Sequence, residues 1–333
     1  MPPATLKASR GAPYARLVGV GGYRPSRVVP NEEILRHIDS SDEWIRSRSG
    51  IATRHWAGPE ETVAEMSIAA AGKAIAGAGI TARQVDAVVI STVSHFAQTP
   101  AVATEIAHRL GTEKAAAFDI SAACAGFGYG LTIGKGLIVD GSAGHVLVIG
   151  VERLSDLTDA TDRSTAFLFG DGAGAVVLGP SPEPALGPTV WGSEGDKSQV
   201  IGQTVPWDRY QPGDPFPALR QEGQAVFRWA VYEMAKVAQQ ALDAAGITAQ
   251  DLDVFIPHQA NMRIIDSMVK TLKLPEHVAV ARDIEFSGNT SAASIPLAME
   301  RMLETGQARS GDTALVIGFG AGLVYAATVV TLP

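Results

Sequence analysis

The stretch AGITARQVDAVV at residues 78–89 returns as AGITAQDLDVFI at 245–256, an offset of 167 in a chain of 333 residues. Each copy follows an alanine-rich run with helical spacing, AEMSIAAAGKAIAG in the first and AVFRWAVYEMAKVAQQALDA in the second, and each leads into an apolar strand-like segment. HVLVIG at 145–150 and TALVIG at 313–318 match at an offset of 168. Glycine clusters follow both, FGDGAGAVVLG at 169–179 and GFGAGLVYAATVV at 318–330. Ordered matches at nearly one offset require two units of the same supersecondary structure. Alternating helices and mostly buried strands predict an α/β fold of two duplicated halves about a pseudo-twofold axis. The boundary is expected in the proline-rich GPSPEPALGP near residue 184, giving halves 1–184 and 185–333.

Composition narrows the function classes. With 46% hydrophobic and 19% charged residues the chain can bury a large core. A net charge of −8 argues against general nucleic-acid binding, which needs a basic footprint, so any acidic partner must meet a local basic patch. One cysteine cannot form an intramolecular disulfide, and MPPATLKASRGAPYARLVGV lacks the apolar core of a secretion signal, so a reducing cytoplasm is expected. The C-terminal TALVIGFGAGLVYAATVVTLP is uncharged and long enough to span a bilayer. Its glycines and β-branched residues read instead as two buried strands joined by a glycine turn, with no membrane role. His37, His55, His95, His108, His145 and His277 show no metal-ligand spacing, and no metal site is expected. GVGGYRP and GFGYG lack the surroundings of a dinucleotide fingerprint, and GKG lacks the Ser or Thr of a P-loop.

The repeat also points to chemistry. Subtracting 167 from His258, in FIPHQAN, gives Ser91, so His258 lies just past the C-terminal end of a strand, where α/β sheets hold ligands. Adding 167 to Cys124 gives Ser291, two residues after Asn289 in SGNTSAAS. The pseudo-symmetry therefore predicts that Cys124, His258 and Asn289 meet at one centre. Cys124 precedes AGFGYGLTIGKGLIV, a helical segment whose N-terminus favours a thiolate through its dipole and free N–H groups. Each residue also has a plainer reading: a free cysteine is a common core residue, a lone histidine after a strand is commonly structural, and an asparagine suits a turn.

SSDEWIRSRSGI, DISAACAGF, TDRSTAFLFGDGAGAV, IPHQANMRII, GNTSAASIP and GFGAG, in that order, closely resemble the β-ketoacyl-[acyl-carrier-protein] synthase III family, and the resemblance covers nearly the whole chain. It implies a thiolase-like fold, five-layered α-β-α-β-α, in a cytoplasmic homodimer that needs no cofactor beyond a CoA thioester substrate. It implies that Cys124 takes an acyl group from acyl-CoA, and that malonyl-ACP then loses CO₂ and attacks the acyl-enzyme to give 3-oxoacyl-ACP. His258 and Asn289 would stabilise the enolate. The backbone N–H groups of Cys124 and Ala321 would form the oxyanion hole, and Phe319 would line the malonyl site. Ala321 stands where some relatives carry glycine, so its backbone must suit a residue with a Cβ.

By the same resemblance Trp44 and Arg163 would clamp the adenine of CoA from opposite faces and Arg48 would meet phosphate. In NMRIIDSMVKTLKL the apolar positions form one helical face and leave Arg263, Lys270 and Lys273 outside it. With Arg228 these make a candidate patch for acidic ACP, Arg263 first among them. Thr99 precedes Pro100 where acetyl-preferring relatives can carry phenylalanine, and its smaller side chain implies room for branched primers such as isobutyryl-CoA. A single cysteine argues against a degradative thiolase, and Asn289 against the two-histidine elongating ketosynthases. Type III polyketide synthases and HMG-CoA synthases use related residues. A polyketide-pathway priming enzyme, an ester-forming relative, a papain-like hydrolase and a non-catalytic acyl-CoA binder are the remaining alternatives.

Overall fold

The computed structural model describes residues 6–333. One five-stranded sheet contains β1 (Tyr14–Tyr23), β2 (Ala87–Ser91), β3 (Ala116–Ile120), β4 (Val146–Arg153) and β5 (Asp171–Ser181), in the order β1-β5-β4-β2-β3. The other contains β6 (Val190–Ser193), β7 (Val254–Pro257), β8 (Ala279–Val280), β9 (Thr313–Gly320) and β10 (Val324–Thr331), in the order β6-β10-β9-β7-β8. The two orders correspond strand for strand. So do the directions: the 4–2–3 strands of the first and the 9–7–8 strands of the second are parallel, while β5 and β10 run antiparallel to their neighbours.

Helices α1 (Asp42–Ser49), α2 (Val63–Gly77), α3 (Val102–Leu110), α4 (Gly126–Asp140), α5 (Gly223–Ala245), α6 (Met262–Leu272) and α7 (Ser294–Glu304) supply the other layers. Alternation along β2 shows why its sequence is apolar throughout. Ala87 and Val89 face a core shared with Phe127 and Leu131 of α4 and Met299 of α7, whereas Val88 and Ile90 face Met66 of α2 and Ile106 of α3. A strand covered on both faces has no solvent side to encode. In the second sheet Val254 and Ile256 join the shared core, and Phe255 packs with Met234 of α5 and Met268 of α6. Helices α4 and α7 thus lie between the sheets, with α2 and α3 outside one and α5 and α6 outside the other, a thiolase-like five-layered fold. Burial of Phe127 and Leu131 in the middle layer contributes roughly 1.5–3 kcal/mol for each side chain. Among the described residues no helix is long and apolar enough to cross a membrane. The C-terminal apolar segment forms β9 and β10.

The middle helices are entered through matching turns, and these correct one detail of the repeat. Ala123–Ala125 precedes α4 and Ser291–Ala293 precedes α7, each a 3-10 turn. Both open on a left-handed residue, Ala123 at φ 44° and Ser291 at φ 48°. The offset here is 168, so the counterpart of Cys124 is Ala292, and Ser291 corresponds to Ala123. Gly150 of β4 sits against the second turn so closely that a Cβ would lie 2.2 Å from the Ala292 carbonyl oxygen. The strand of one half thereby seats the turn of the other.

Candidate active site

Cys124 occupies the turn that opens α4, and the end of β9 closes over it. A Cβ at Gly320 would lie 2.9 Å from the Cys124 Sγ. Glycine is therefore needed there by proximity, and the next residue, Ala321, is delivered to the rim of the cavity that Cys124 lines. Ala321 does not have a left-handed backbone; Gly322 does, at φ 140°. The turn consequently accommodates the alanine Cβ. Cys124 is part-buried and faces the cavity, and desolvation by the surrounding protein pushes its thiol up to about 12, with the charge of Glu152 adding to the shift. The expectation of a resting thiolate at a helix N-terminus is thus corrected: desolvation outweighs the backbone N–H and the Ser291 hydroxyl, which act in the opposite direction.

His258 follows β7 and is 2% exposed. Its Nδ1 lies 2.7 Å from Ser294 Oγ, which accepts the Gln259 N–H at 3.3 Å. In the tautomer in which the Ser294 hydroxyl donates its hydrogen to Nδ1, the ring proton resides on Nε2. Burial pushes His258 down to about 3, so the imidazole is neutral through the physiological range. Phe319 stands edge-on to it at a centroid distance of 5.4 Å.

Asn289 is also pinned by its acceptor. Its Oδ1 takes the Ser291 N–H at 2.8 Å, its own N–H donates to Leu168 O at 2.8 Å, and its carbonyl accepts Gly170 N–H at 3.0 Å. This leaves the side-chain NH₂ as the group available to a ligand. Cys124, His258, Asn289, Phe319 and Ala321 all line one cavity of about 1450 Å³. Its centre therefore holds a thiol and two neutral hydrogen-bond donors, a set suited to an enolate or thioester oxygen.

Trp44, Arg48, Arg163, Arg228 and Arg263 line the same cavity. The Ser41 side chain caps α1 by accepting the Trp44 N–H at 3.1 Å. The Arg163 guanidinium lies 4.8 Å from the Trp44 ring centroid, and its Nε donates to Asp39 O at 2.7 Å. The two residues stack on each other, which leaves no gap for a purine between them. Arg263 stacks at 4.8 Å over Phe227. Lys270 is in the last turn of α6 and Lys273 is its C-cap; neither reaches the cavity. Thr99 is exposed and lies outside the cavity, although Gln98 and Ala101 line it.

Comparison with known proteins shows the family. Residues 118–195 match the model of 3-oxoacyl-[acyl-carrier-protein (ACP)] synthase III, and residues 242–332 match that of its C-terminal region. The chain is 78% identical over 340 aligned positions to beta-ketoacyl-[acyl-carrier-protein] synthase III 1 of Streptomyces coelicolor, with 98% of this chain and 99% of the relative covered. The chain belongs to the 3-oxoacyl-[acyl-carrier-protein] synthase III family. Synthase III enzymes are acyl-transferring condensing enzymes, and so is this one. Two solved structures share its architecture. The priming β-ketosynthase of the R1128 polyketide pathway superposes with a TM-score of 0.95 at 46% identity, covering 100% of this chain and 99% of the other. The synthase III of Pseudomonas aeruginosa PAO1 superposes at 0.88 and 39%, covering 96% and 98%. The higher identity to the Streptomyces synthase III leaves the polyketide-priming alternative less favoured.

Several groups that shape the synthase III site escaped sequence reasoning. Ser294 orients His258, and Ser291 brings a hydroxyl near the thiol. Neither carries a signal beyond its place in GNTSAASIP. Glu152 did carry one: a charged residue inside the apolar run VLVIGVER is costly to bury and requires a reason.

Proposed function

We propose that this synthase III joins a short acyl-CoA primer to malonyl-ACP in two half-reactions at Cys124. The sulfur attacks the thioester carbonyl, CoA departs, and an acyl-cysteine remains. Malonyl-ACP then enters, its C–C bond to the carboxylate breaks, and the released electron pair forms an enolate. The enolate oxygen receives hydrogen bonds from His258 Nε2–H and the Asn289 NH₂. The enolate carbon attacks the acyl carbonyl, whose developing oxyanion meets the Cys124 and Ala321 N–H groups, and collapse returns the pair to sulfur. No base is required to activate malonyl, because the departing CO₂ leaves the carbanion. The observation that carries this reading is the pinning of His258 Nδ1 and Asn289 Oδ1, which leaves both side chains as donors toward the cavity holding the thiol.

Intact-protein mass measured after brief exposure to acetyl-CoA or isobutyryl-CoA, and again after malonyl-ACP, tests both halves. The expected result is an acyl adduct with either primer, discharged by malonyl-ACP to 3-oxoacyl-ACP. An adduct that persists with malonyl-ACP and leaves only with another acceptor would mean a diverted acyltransferase. Failure to acylate with isobutyryl-CoA would remove the primer-size reading of Thr99.

Adenine binding between Trp44 and Arg163 requires Arg163 to leave the ring and release Asp39 O; Arg48 is then the phosphate contact. Arg263 and Arg228 at the rim, with Lys270 and Lys273 farther along α6, form the proposed approach for acidic ACP on a protein whose net charge is −8. A homodimer is supported by β3, an edge strand whose outer N–H and C=O groups have no partner strand among the described residues. Asp119 of β3 caps α3 through the Val102 and Ala103 N–H groups, so the 96–101 loop, with exposed Phe96 and Thr99, belongs to the same edge. Pairing of two copies there covers both residues, and the role of Thr99 in primer choice rests on that pairing. Light scattering is expected to give twice 34.8 kDa; a monomer mass at assay concentration would overturn the dimer. A cytoplasmic location fits a lone cysteine and substrates carried on CoA and ACP.

A further inference from the structure

Behind the nucleophile lies a carboxyl that the two half-reactions leave unused. Glu152, next to last in β4, is fully buried. Its Oε2 accepts from Ser94 Oγ at 2.7 Å and from the Val93 N–H at 3.1 Å, with Thr92 Oγ1 at 3.4 Å. Its Oε1 has no hydrogen-bond partner among the described residues. An unpaired oxygen on a buried carboxyl carries an uncompensated desolvation cost and calls for a reason. Ser291 Oγ is a second buried polar atom without a hydrogen-bond partner among the described residues, and its hydroxyl favours the charged form of both this carboxyl and the Cys124 thiol. The left-handed turn that follows Asn289 thus buries a free hydroxyl that acts on both the acid and the thiol.

We propose that Glu152 takes the Cys124 proton through the Ser291 hydroxyl during acylation, holds it while the acyl-enzyme stands, and returns it when condensation releases the thiolate. The inference rests on reading Cys124 as the nucleophile. In acylation the S–H bond breaks, Ser291 Oγ accepts that proton as its own passes to Glu152 Oε1, and the sulfur pair forms the bond to the acyl carbon. The CoA thiolate leaves and takes a proton from solvent. In condensation the S–C bond breaks with its pair returning to sulfur, and the proton runs back from Glu152 to Cys124. Carboxylate plus thiol become carboxylic acid plus thioester, and then revert, so the buried charge is never doubled. His258 cannot serve in this role while Nε2 carries its proton and Nδ1 is held by Ser294.

Burial pushes Glu152 up to about 7, which suits a group that must both accept and release a proton near neutrality. The groups facing it from the packed elements are the hydroxyls of Thr92, Ser94 and Ser291 and the thiol of Cys124. The adjacent Arg153 turns to Asp156, and Asp171 on the neighbouring strand is engaged with Ser155 and the Ala57 N–H.

The test is the rate of acyl-cysteine formation, followed by quenched-flow mass spectrometry from pH 5.5 to 9, for the native protein, Glu152→Gln and Ser291→Ala. The native rate is expected to fall as pH drops through about 7, because protonated Glu152 can no longer accept. Glu152→Gln, which keeps the shape and can keep the Ser94 and Val93 contacts, is expected to acylate at least tenfold more slowly at pH 7.5 and to lose that limb. Ser291→Ala is expected to be slowed likewise. In a Cys124→Ala background, Glu152→Gln should leave decarboxylation of malonyl-ACP unchanged. Native acylation rate with the native pH limb in Glu152→Gln overturns the proposal, as does an equal loss of acylation and decarboxylation, which would mean a packing defect. If Glu152→Gln does not fold, a native acylation rate in Ser291→Ala overturns it. Absence of any adduct on the native protein would instead sink the nucleophile assignment itself.

Discussion

Cys124→Ala is expected to abolish the acyl adduct and to lower condensation by about a thousandfold or more, because the covalent route is removed and the chain has no second cysteine. The substitution deletes a sulfur atom and leaves the backbone N–H in place, so His258, Asn289 and Ala321 keep their positions. Decarboxylation of malonyl-ACP, which needs the donors rather than the thiol, should therefore survive. The two activities are separable by following acyl-protein mass and CO₂ release on the same preparation. An acyl adduct of undiminished yield on the alanine variant would assign the nucleophile elsewhere.

His258→Ala is expected to have the complementary effect. Loss of one preorganised donor to a developing oxyanion costs about a hundredfold to a thousandfold in rate, and here the loss should fall on decarboxylation while acylation of Cys124 persists. The pH dependence supplies a second check. Burial pushes His258 down to about 3, so its protonated form is populated only below that value and the neutral donor is present throughout the range from pH 5 to 8. Decarboxylation by the Cys124→Ala protein should accordingly show no histidine limb over that interval. A limb near 6.5 that disappears with His258→Ala would show an imidazolium at work and would reverse the role assigned to the ring.

The meeting of Cys124, His258 and Asn289 in one cavity was legible because the duplicated sequence fixes where strands end. His258 sits one residue past β7, as the repeat required. The same arithmetic failed by one position at Cys124, because the offset changes from 167 to 168 between the first matched segment and the turns before α4 and α7. The duplicated α/β units were legible in the repeat and in apolar strands with no polar face, whereas the five layers were implied by the family resemblance. What the sequence could not reveal depends on several elements at once. The ionisation of Cys124 is decided by how completely the cavity wall closes around it, a property shared among β9, α4 and the Ser291 turn. The contact between Trp44 and Arg163 depends on a side-chain choice made 119 positions apart. Thr99 reads as a pocket residue by its neighbours in sequence, yet a single chain leaves it on the surface.

Helices α4 and α7 are common property: each is packed by strands of both sheets, and the turns that open them carry Cys124 and the residues around Asn289. Separating the halves would expose the middle layer and dismantle the chemistry in the same event. The molecule therefore has no partially melted form that could still turn over, and its heat-inactivation and unfolding curves must share one midpoint. A ligand that spans the cavity, touching groups from both halves, raises that midpoint by bracing the seam rather than by stiffening either half.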